Sequence, residues 1–212
     1  MTTRSGIKVY PSTKPSAVFV LAHGAGAGQS SPFITSFARG MTERGIAAAT
    51  FDFPYMTAGR KVPDPAPVLE AHWRRTIEAA GAEVPGVPLF IGGKSMGGRI
   101  ASQVAAGEHP PVGGLVFLGY PLHPPGRPDK RRDAHLPQIS EPMLFVQGTR
   151  DTFGTAAEIR LLLPRLQHAT LHEVAGGDHS FKVSGVKVKP ADVMNDIMNI
   201  VAGWMKAPTA RP

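Results

Sequence analysis

The sequence predicts an α/β fold in which helices cover both faces of a mostly parallel, doubly wound sheet of about six or seven strands. Short apolar runs rich in Val, Ile, Phe and Leu alternate along the chain with longer segments of helical period. This alternation is typical of βαβ units, in which each helix carries the chain back to begin the next parallel strand. A length of 212 residues and a hydrophobic content of 42% suit one domain with a sizeable core.

Seven apolar runs are the predicted strands. They are short and rich in the residue types that favour strands, and Gly, Pro or polar residues separate them from the segments between. In chain order they are IKVY at 7–10, AVFVLAH at 17–23, IAAATFDFP at 46–54, VPLFIGG at 87–93, GLVFLGYP at 114–121, PMLFVQGT at 142–149 and ATLHEVAG at 169–176.

Five segments of helical period are the predicted helices, at 32–44, 66–81, 96–107, 155–163 and 190–206. The segment at 66–81 opens with the proline-rich stretch PDPAP, which suits a first helical turn. The last segment is the clearest amphipathic case, because its apolar residues recur at spacings of three and four and share one face. Those residues are Val193, Ile197, Ile200, Val201 and Trp204.

No repeat, low-complexity tract or change of composition divides the chain, so we expect a single domain over residues 1–212. Within it we expect an extra N-terminal strand inside 1–15, a short flap at 122–141 and a tail at 207–212. The flap has about 20 residues, which is too short for a separate lid domain.

Composition excludes several classes of function. The chain has no cysteine, which rules out disulfides, thiolate metal sites and a cysteine nucleophile. The net charge of +7 favours anionic partners in general, but aromatic residues make up only 7% of the chain and no basic stripe with stacking side chains predicts nucleic-acid binding. The N-terminus lacks the apolar core of a secretory signal and no apolar run has membrane-spanning length, so we expect a cytoplasmic protein without a membrane partner.

The segment FIGGKSMGGR, residues 90–99, contains the pattern G-x-S-x-G around Ser95. A predicted strand precedes the pattern and a predicted helix follows it, which places the serine on a tight turn with its hydroxyl beyond the carboxyl edge of the sheet. Gly93 and Gly97 suit this turn, because a Cβ at either position would collide with a neighbouring element. The alternative interpretation is a packed turn whose serine has no chemical role.

A serine hydroxyl becomes an effective nucleophile only when a histidine takes its proton and a carboxylate orients that histidine. In doubly wound hydrolases the chain order is serine, acid, histidine, with the last two on loops after later strands. Asp151 follows PMLFVQGT and His179 follows ATLHEVAG, so both fit this order. Asp151 could instead cap a turn or a helix. Among the other histidines, His123 and His135 lie in the loop after GLVFLGYP, where either could contact substrate.

The glycine-rich segment HGAGAG, residues 23–28, follows the second predicted strand and is the candidate oxyanion loop. An oxyanion formed at Ser95 would accept hydrogen bonds from the N–H groups of Met96 and Ala25, with Gly24 and Gly26 as supporting residues. We expect His23 to brace the loop through a backbone hydrogen bond. The alternative of a dinucleotide-binding turn is weaker, because position 29 is Gln and the G-x-G-x-x-G spacing is incomplete.

Six blocks of the sequence together resemble a known family. They are HGAGAG, FDFPYM, GGKSMGGR, GYPLHPPGRPDK, FVQGTRDTFG and GGDHSF, and the match around them extends from about residue 17 to residue 204. The chain resembles the small α/β-hydrolase branch that includes the hydrolase-like subunit of a nuclear histone-acetyltransferase complex, a related testis-expressed protein and bacterial predicted hydrolases. The resemblance implies a reduced α/β-hydrolase fold without a large cap domain, with Ser95, Asp151 and His179 as the triad and the loop after His23 completing the oxyanion hole.

These features predict a serine hydrolase that acts on small or medium carboxylic esters or thioesters without a metal or organic cofactor. We expect Phe53, Tyr55, Met56, Arg60 and His123 to contact the small-molecule substrate, because they lie at or after the carboxyl ends of predicted strands. The alternative is a non-catalytic interaction module that retains the fold, and a homodimer or another protein partner is compatible with the sequence.

A basic group in the predicted flap has two interpretations. The residues are Arg127, Lys130, Arg131 and Arg132. They form either a solvated loop that keeps the protein soluble or a recognition patch for acidic substrates.

Overall fold

The computed structural model describes residues 6–184 and 187–207, which form one seven-stranded sheet in the order β1-β3-β2-β4-β5-β6-β7. All neighbouring strands are parallel except β1, which pairs antiparallel with β3 at one edge. The strands are β1 Lys8–Tyr10, β2 Ala17–Ala22, β3 Ile46–Phe51, β4 Leu89–Lys94, β5 Gly114–Leu118, β6 Met143–Gly148 and β7 Ala169–Val174. Each of the seven predicted strands is therefore present, and the mostly parallel sheet is confirmed.

Six α-helices lie between or after these strands: α1 Pro32–Glu43, α2 Pro54–Thr57, α3 Ala66–Glu83, α4 Met96–Glu108, α5 Ala156–Arg160 and α6 Pro190–Lys206. Short 3-10 turns at Leu136–Gln138 and Leu163–Arg165 complete the set within the described residues. The five predicted helices are all present, although α5 is shorter than predicted because the chain tightens into the 3-10 turn that contains Pro164. The helix α2 was not predicted, since four residues are too few to show a helical period.

Two hydrophobic cores cover the two faces of the sheet. On one face, α1 and α6 pack Phe37 and Ile197 against Phe19 and Leu21 of β2. On the other face, α3 and α4 contribute the largest group of buried side chains, including Trp73. Adjacent residues of β2 point to opposite cores, as the twofold period of a strand requires. The prediction of helices on both faces is thus confirmed, with the exception that Ile200 of α6 is 39% exposed and does not share the buried face.

The segment 122–141 follows the carboxyl end of β5 and contains only one 3-10 turn. Leu122 and Leu136 anchor it in the core, and the Tyr120 hydroxyl donates a 2.8 Å hydrogen bond to the Arg132 carbonyl. No large cap is present among residues 6–184 and 187–207, which agrees with the predicted reduced fold. The predicted tail at 207–212 lies outside the described residues except for Ala207.

The parallel strands bring several chain segments to one edge of the sheet. Strands β2, β4, β6 and β7 run in the same direction, so the residues that follow them meet at their carboxyl ends. Those residues include the loop after Ala22, Ser95, Asp151 and the loop that carries His179. In the described part of the chain, no helix has both the length and the apolar character that crossing a bilayer requires.

Candidate active site

Ser95 occupies a sharp turn between the end of β4 and the first residue of α4. Its backbone angles are φ 51° and ψ −118°, which an L-residue adopts only where the surroundings impose them. The Ser95 N–H donates to Leu118 O of β5 at 3.1 Å, and the Ser95 carbonyl accepts from Arg99 N–H at 3.1 Å as the helix begins. The turn is therefore fixed from both sides, and it directs the serine side chain out of the sheet edge.

Gly97 lets the first turn of α4 approach β2 closely. A Cβ at Gly97 would lie 2.6 Å from His23 O and 2.7 Å from the Ala22 Cβ, and both atoms belong to or follow a buried strand. The Gly97 carbonyl also accepts a 3.2 Å hydrogen bond from the indole N–H of Trp73, which fixes α3 to the turn. The predicted steric reason for this glycine is confirmed.

Replacing Gly97 by alanine is expected to lower the free energy of unfolding by roughly 1–3 kcal/mol, because the extra methyl has no room without a backbone shift. Gly107 is a matched control in the same helix, since a Cβ there would meet no atom of the described residues within 4 Å. Gly107→Ala should stabilise the protein by up to about 1 kcal/mol through helix propensity. Urea unfolding of the two variants tests this contrast, and equal effects would contradict it.

His179 connects Ser95 to Asp151. Its Nε2 lies 2.9 Å from Ser95 Oγ and its Nδ1 lies 2.8 Å from Asp151 Oδ2. The side chain of His179 is 20% exposed and that of Asp151 is completely buried, so the chain of hydrogen bonds runs from solvent into the protein. The Phe153 ring packs on the imidazole at a centroid distance of 4.2 Å and limits its rotation. The structure thus brings together the three residues that the sequence predicted as a triad.

Asp151 is held by donors on both of its oxygens. Oδ1 accepts from the Phe153 N–H at 2.8 Å, and Oδ2 accepts from Gln147 Nε2 at 3.0 Å as well as facing His179. Gln147 is fully buried, and its Oε1 accepts from the Tyr120 N–H at 2.8 Å while its Nε2 also donates to Gly154 O at 2.6 Å. The sequence analysis missed Gln147, although a lone polar residue inside the apolar run PMLFVQG was a signal that could have identified it.

The loop from His23 to Gly28 lies beside Ser95. His23 is fully buried, its Nδ1 lies 2.7 Å from Gly24 O, and its Nε2 accepts from the Phe53 N–H at 3.2 Å. Nδ1 is therefore the protonated nitrogen, and burial lowers the pKa of His23 so that the ring stays neutral. His23 braces the loop through the backbone hydrogen bond that the sequence predicted.

Ala25 and Met96 both line the cleft in front of Ser95. Met96 is the first residue of α4, where a backbone N–H has no partner within the helix. Within residues 6–184 and 187–207, neither the Ala25 N–H nor the Met96 N–H donates a hydrogen bond to the protein. The neighbouring Gly26 N–H is already used, since it donates to the Tyr55 hydroxyl at 3.1 Å.

The cleft at Ser95 has a volume of about 240 Å³. Its lining residues come from four parts of the chain: Ala25 in the glycine-rich loop, Pro63, Asp64, Ala66 and Leu69 around the start of α3, Ser95, Met96 and Arg99 at the turn, and Pro121, Arg132 and Phe153 after β5 and β6. Sequence reasoning did not single out most of these residues, because their convergence depends on how the loops fold back over the sheet edge.

The five residues predicted to contact substrate do not line the cleft at Ser95. Phe53 and Tyr55 are fully buried behind the glycine-rich loop, where they hold His23 and Gly26. Met56 does not line the cleft, and His123 is 6% exposed with its Nε2 at 3.1 Å from Glu158 Oε1. Arg60 reaches the cleft only indirectly, through a 2.7 Å ion pair with Asp64.

Lys94, which precedes the serine, supports the loop that carries the histidine. Its Nζ donates a 2.6 Å hydrogen bond to the His179 carbonyl and lies 5.5 Å from the centre of the Phe181 ring. Burial lowers the pKa of Lys94 to about 8, although Asp151 and Asp178 partly oppose the shift. The native state therefore binds this proton less tightly than the unfolded chain does.

This shift predicts how Lys94 affects stability with pH. Between about pH 8 and pH 10.5 the unfolded chain holds the Lys94 proton and the native state releases it, so this residue's contribution to stability rises with pH. The free energy of unfolding of the wild type should increase relative to that of Lys94→Met across this interval, as measured by urea unfolding at several pH values. Parallel curves for the two proteins would contradict the prediction.

Comparison with known proteins places this arrangement in a family. The model of the alpha/beta hydrolase domain family matches residues 15–206. Similar solved structures include a serine hydrolase without a lid from Xanthomonas campestris, at 20% identity and a TM-score of 0.70 over 97% of this chain and 90% of that one. A dienelactone hydrolase from Anabaena variabilis matches at 18% identity and a TM-score of 0.72, over 93% of this chain and 89% of that one.

The esterase domain of a Rhodothermus marinus protein is also similar, at 16% identity and a TM-score of 0.69 over 94% of this chain and 90% of that one. At these identities the structures support the fold, and the family match covers nearly the whole chain. The chain therefore belongs to the alpha/beta hydrolase domain family.

Proposed function

We propose that this protein is a serine hydrolase that cleaves small or medium carboxylic esters or thioesters through a covalent acyl-enzyme. The observation that carries the proposal is the hydrogen-bonded series from Ser95 through His179 to Asp151, with distances of 2.9 Å and 2.8 Å. Serine, histidine and a buried carboxylate at hydrogen-bond distance can generate a nucleophile at neutral pH. The similarity to proteins described as an esterase domain and a dienelactone hydrolase supports the same class of reaction.

In the acylation step, Ser95 Oγ attacks the carbonyl carbon of the ester while His179 Nε2 takes the hydroxyl proton. Asp151 accepts the Nδ1–H of His179, which keeps the ring in the tautomer whose Nε2 is free to act as a base. The carboxylate also stabilises the imidazolium that forms. Because Asp151 is fully buried, water screens this interaction little.

The tetrahedral oxyanion would be stabilised by the N–H groups of Ala25 and Met96. Both line the cleft, and Met96 adds the positive end of the α4 dipole. His179 then gives its proton to the leaving oxygen or sulfur, and the alcohol or thiol departs. A water molecule, activated by His179, attacks the acyl-enzyme, releases the acid and restores Ser95.

The dimensions of the cleft support a small acyl group. A volume of about 240 Å³ next to Ser95 is below the range of roughly 300–1,000 Å³ that is usual for drug-sized ligands. The finer resemblance to the acetyltransferase-complex subunit, a cytoplasmic location and a homodimer or protein partner stay predictions from the sequence alone.

A fluorophosphonate probe tests the proposal directly, because it reacts with an activated serine and not with an ordinary hydroxyl. We expect the folded protein to be labelled on the tryptic peptide SMGGR, residues 95–99, and heat-unfolded protein to remain unlabelled. Mass spectrometry of the digest identifies the site. Folded protein that takes up no label would overturn the hydrolase proposal and favour the alternative of a non-catalytic interaction module.

A further inference from the structure

Two arginines line the cleft in front of Ser95, and the hydrolytic mechanism uses neither of them. Arg99 lies in the first turn of α4, four residues after the serine, and its backbone N–H donates to Ser95 O at 3.1 Å. Arg132 comes from the segment 122–141, where its N–H donates to Leu122 O at 2.9 Å and its carbonyl accepts from the Tyr120 hydroxyl at 2.8 Å. The backbone of each arginine is thus fixed by an element that also shapes the site.

Neither guanidinium has a carboxylate partner in the part of the chain that the structure describes. Arg99 Nη1 donates to Gln103 Oε1 at 3.1 Å, while its Nε is buried with no hydrogen-bond partner among the described residues. The Arg132 guanidinium makes no hydrogen bond or ion pair within residues 6–184 and 187–207. Buried or half-buried guanidinium groups are normally paired, because desolvating an unpaired charge is costly.

Two other arginines of the segment 122–141 are paired with carboxylates, unlike Arg99 and Arg132. Arg127 and Arg131 each form a two-pronged ion pair, with Asp129 and Asp133 respectively. Both of these side chains are exposed to solvent. Of the basic group predicted as a recognition patch for acidic substrates, only Arg132 lines the cleft.

The two unpaired cations also repel one another. Burial lowers the pKa of Arg99 and the nearby charge of Arg132 also lowers it, while Tyr120 and Glu70 oppose the shift. Among the described residues that line the cleft, Asp64 is the one carboxylate; its Oδ1 is already paired with Arg60, and its Oδ2 is buried with no hydrogen-bond partner in the described part of the chain. An anion placed between the two guanidinium groups would remove their repulsion and satisfy the donors that the protein leaves open.

We propose that Arg99 and Arg132 form a carboxylate-binding subsite, so that the preferred substrate is an ester or thioester whose acyl part carries a second carboxylate. The planar guanidinium forks suit a carboxylate, which can accept two parallel hydrogen bonds from each. The substrate preference rests on the proposed hydrolase function, whereas the binding of a carboxylate at the two arginines does not depend on catalysis. It defines a substrate class, the monoesters of short dicarboxylic acids.

Two esters of matched shape measure the preference. 4-Nitrophenyl hydrogen adipate carries the free carboxylate, and 4-nitrophenyl methyl adipate has the same chain with that charge capped. We expect kcat/KM to be higher for the charged ester, and the ratio between the two esters to fall at least about ten-fold in Arg99→Gln and in Arg132→Gln, the usual effect of losing a hydrogen bond to a charged group. A general loss of active protein lowers the rates for both esters equally, so it leaves their ratio unchanged.

Arg127→Gln is the control variant, since Arg127 is exposed and paired with Asp129 away from the cleft. It should keep the wild-type ratio. Ratios that are unchanged in both Arg99→Gln and Arg132→Gln, with both esters still hydrolysed, would overturn the carboxylate subsite and leave the hydrolase proposal intact.

Calorimetric titration with adipate separates the subsite from the reaction. If the protein hydrolyses neither ester but binds adipate, and both glutamine variants lose that binding, the hydrolase proposal fails while the carboxylate subsite stands. If the protein shows neither hydrolysis nor adipate binding, both proposals are overturned.

Discussion

Ser95→Ala is expected to lower kcat for a good ester substrate by a factor of about 10⁵ to 10⁶, because the reaction loses its nucleophile. Ser102, in the same helix, cannot substitute for it, because Ser102 is completely buried and its Oγ is engaged with Arg99 O at 2.7 Å and with His135 at 2.8 Å. Alanine meets the same steric limits as serine at a φ of 51°, so the substitution does not change the conformational energy of the backbone at this turn. The variant should therefore fold with nearly wild-type stability.

Ester hydrolysis and fluorophosphonate labelling, measured on the same preparations, check this result. Ser140→Ala is a suitable control, because Ser140 is exposed and lies outside the residues that line the cleft. It should retain full activity and labelling. A Ser95→Ala protein with more than about one hundredth of the wild-type kcat would show that another group carries the reaction.

The architecture could be predicted from the sequence because its determinants are local. Apolar runs such as AVFVLA and MLFVQG are short and bounded, and the segments between them have helical period, so strand and helix assignments follow from neighbouring residues. The four-residue helix α2 escaped prediction because it is too short to display a period, and α5 was predicted over 155–163 but ends at Arg160. Ile200 shows the limit of a face assigned by spacing alone, because α6 turns that residue away from the sheet.

The candidate site likewise has a part that the sequence predicted, the triad, and a part that it did not, the substrate contacts. Each triad residue lies shortly after a strand: Ser95 after β4, Asp151 after β6 and His179 after β7. Parallel strands bring their carboxyl ends to one edge of the sheet, so these positions meet there without help from the loop conformations. Substrate contacts depend on how the loops fold back, which a linear sequence does not reveal. Phe53 and Tyr55 follow β3 and so seemed placed for substrate, yet the loop after His23 covers them. Arg99 was not singled out in the sequence, yet it lines the cleft.

Asp151→Asn is expected to lower kcat by about 10³ to 10⁴, because the buried carboxylate accepts hydrogen bonds on both oxygens and an amide cannot. Oδ1 faces the Phe153 N–H, and Oδ2 faces Gln147 Nε2 and His179 Nδ1. An amide NH₂ in the first position would oppose the backbone N–H. In the second position it would oppose Gln147 and force His179 to carry its proton on Nε2, where the ring could no longer accept the proton of Ser95.

Asp178→Asn is the matched control, because this carboxylate is next to His179 in the chain but serves a different purpose. Its Oδ1 accepts from the N–H groups of Ser180 and Lys182, at 2.7 Å and 2.9 Å, and an asparagine oxygen can accept both. We therefore expect kcat to change less than ten-fold in Asp178→Asn, although the two variants remove the same charge. Equal losses of kcat would mean that negative charge near His179 matters more than its hydrogen bond, and the tautomer argument for Asp151 would then be wrong.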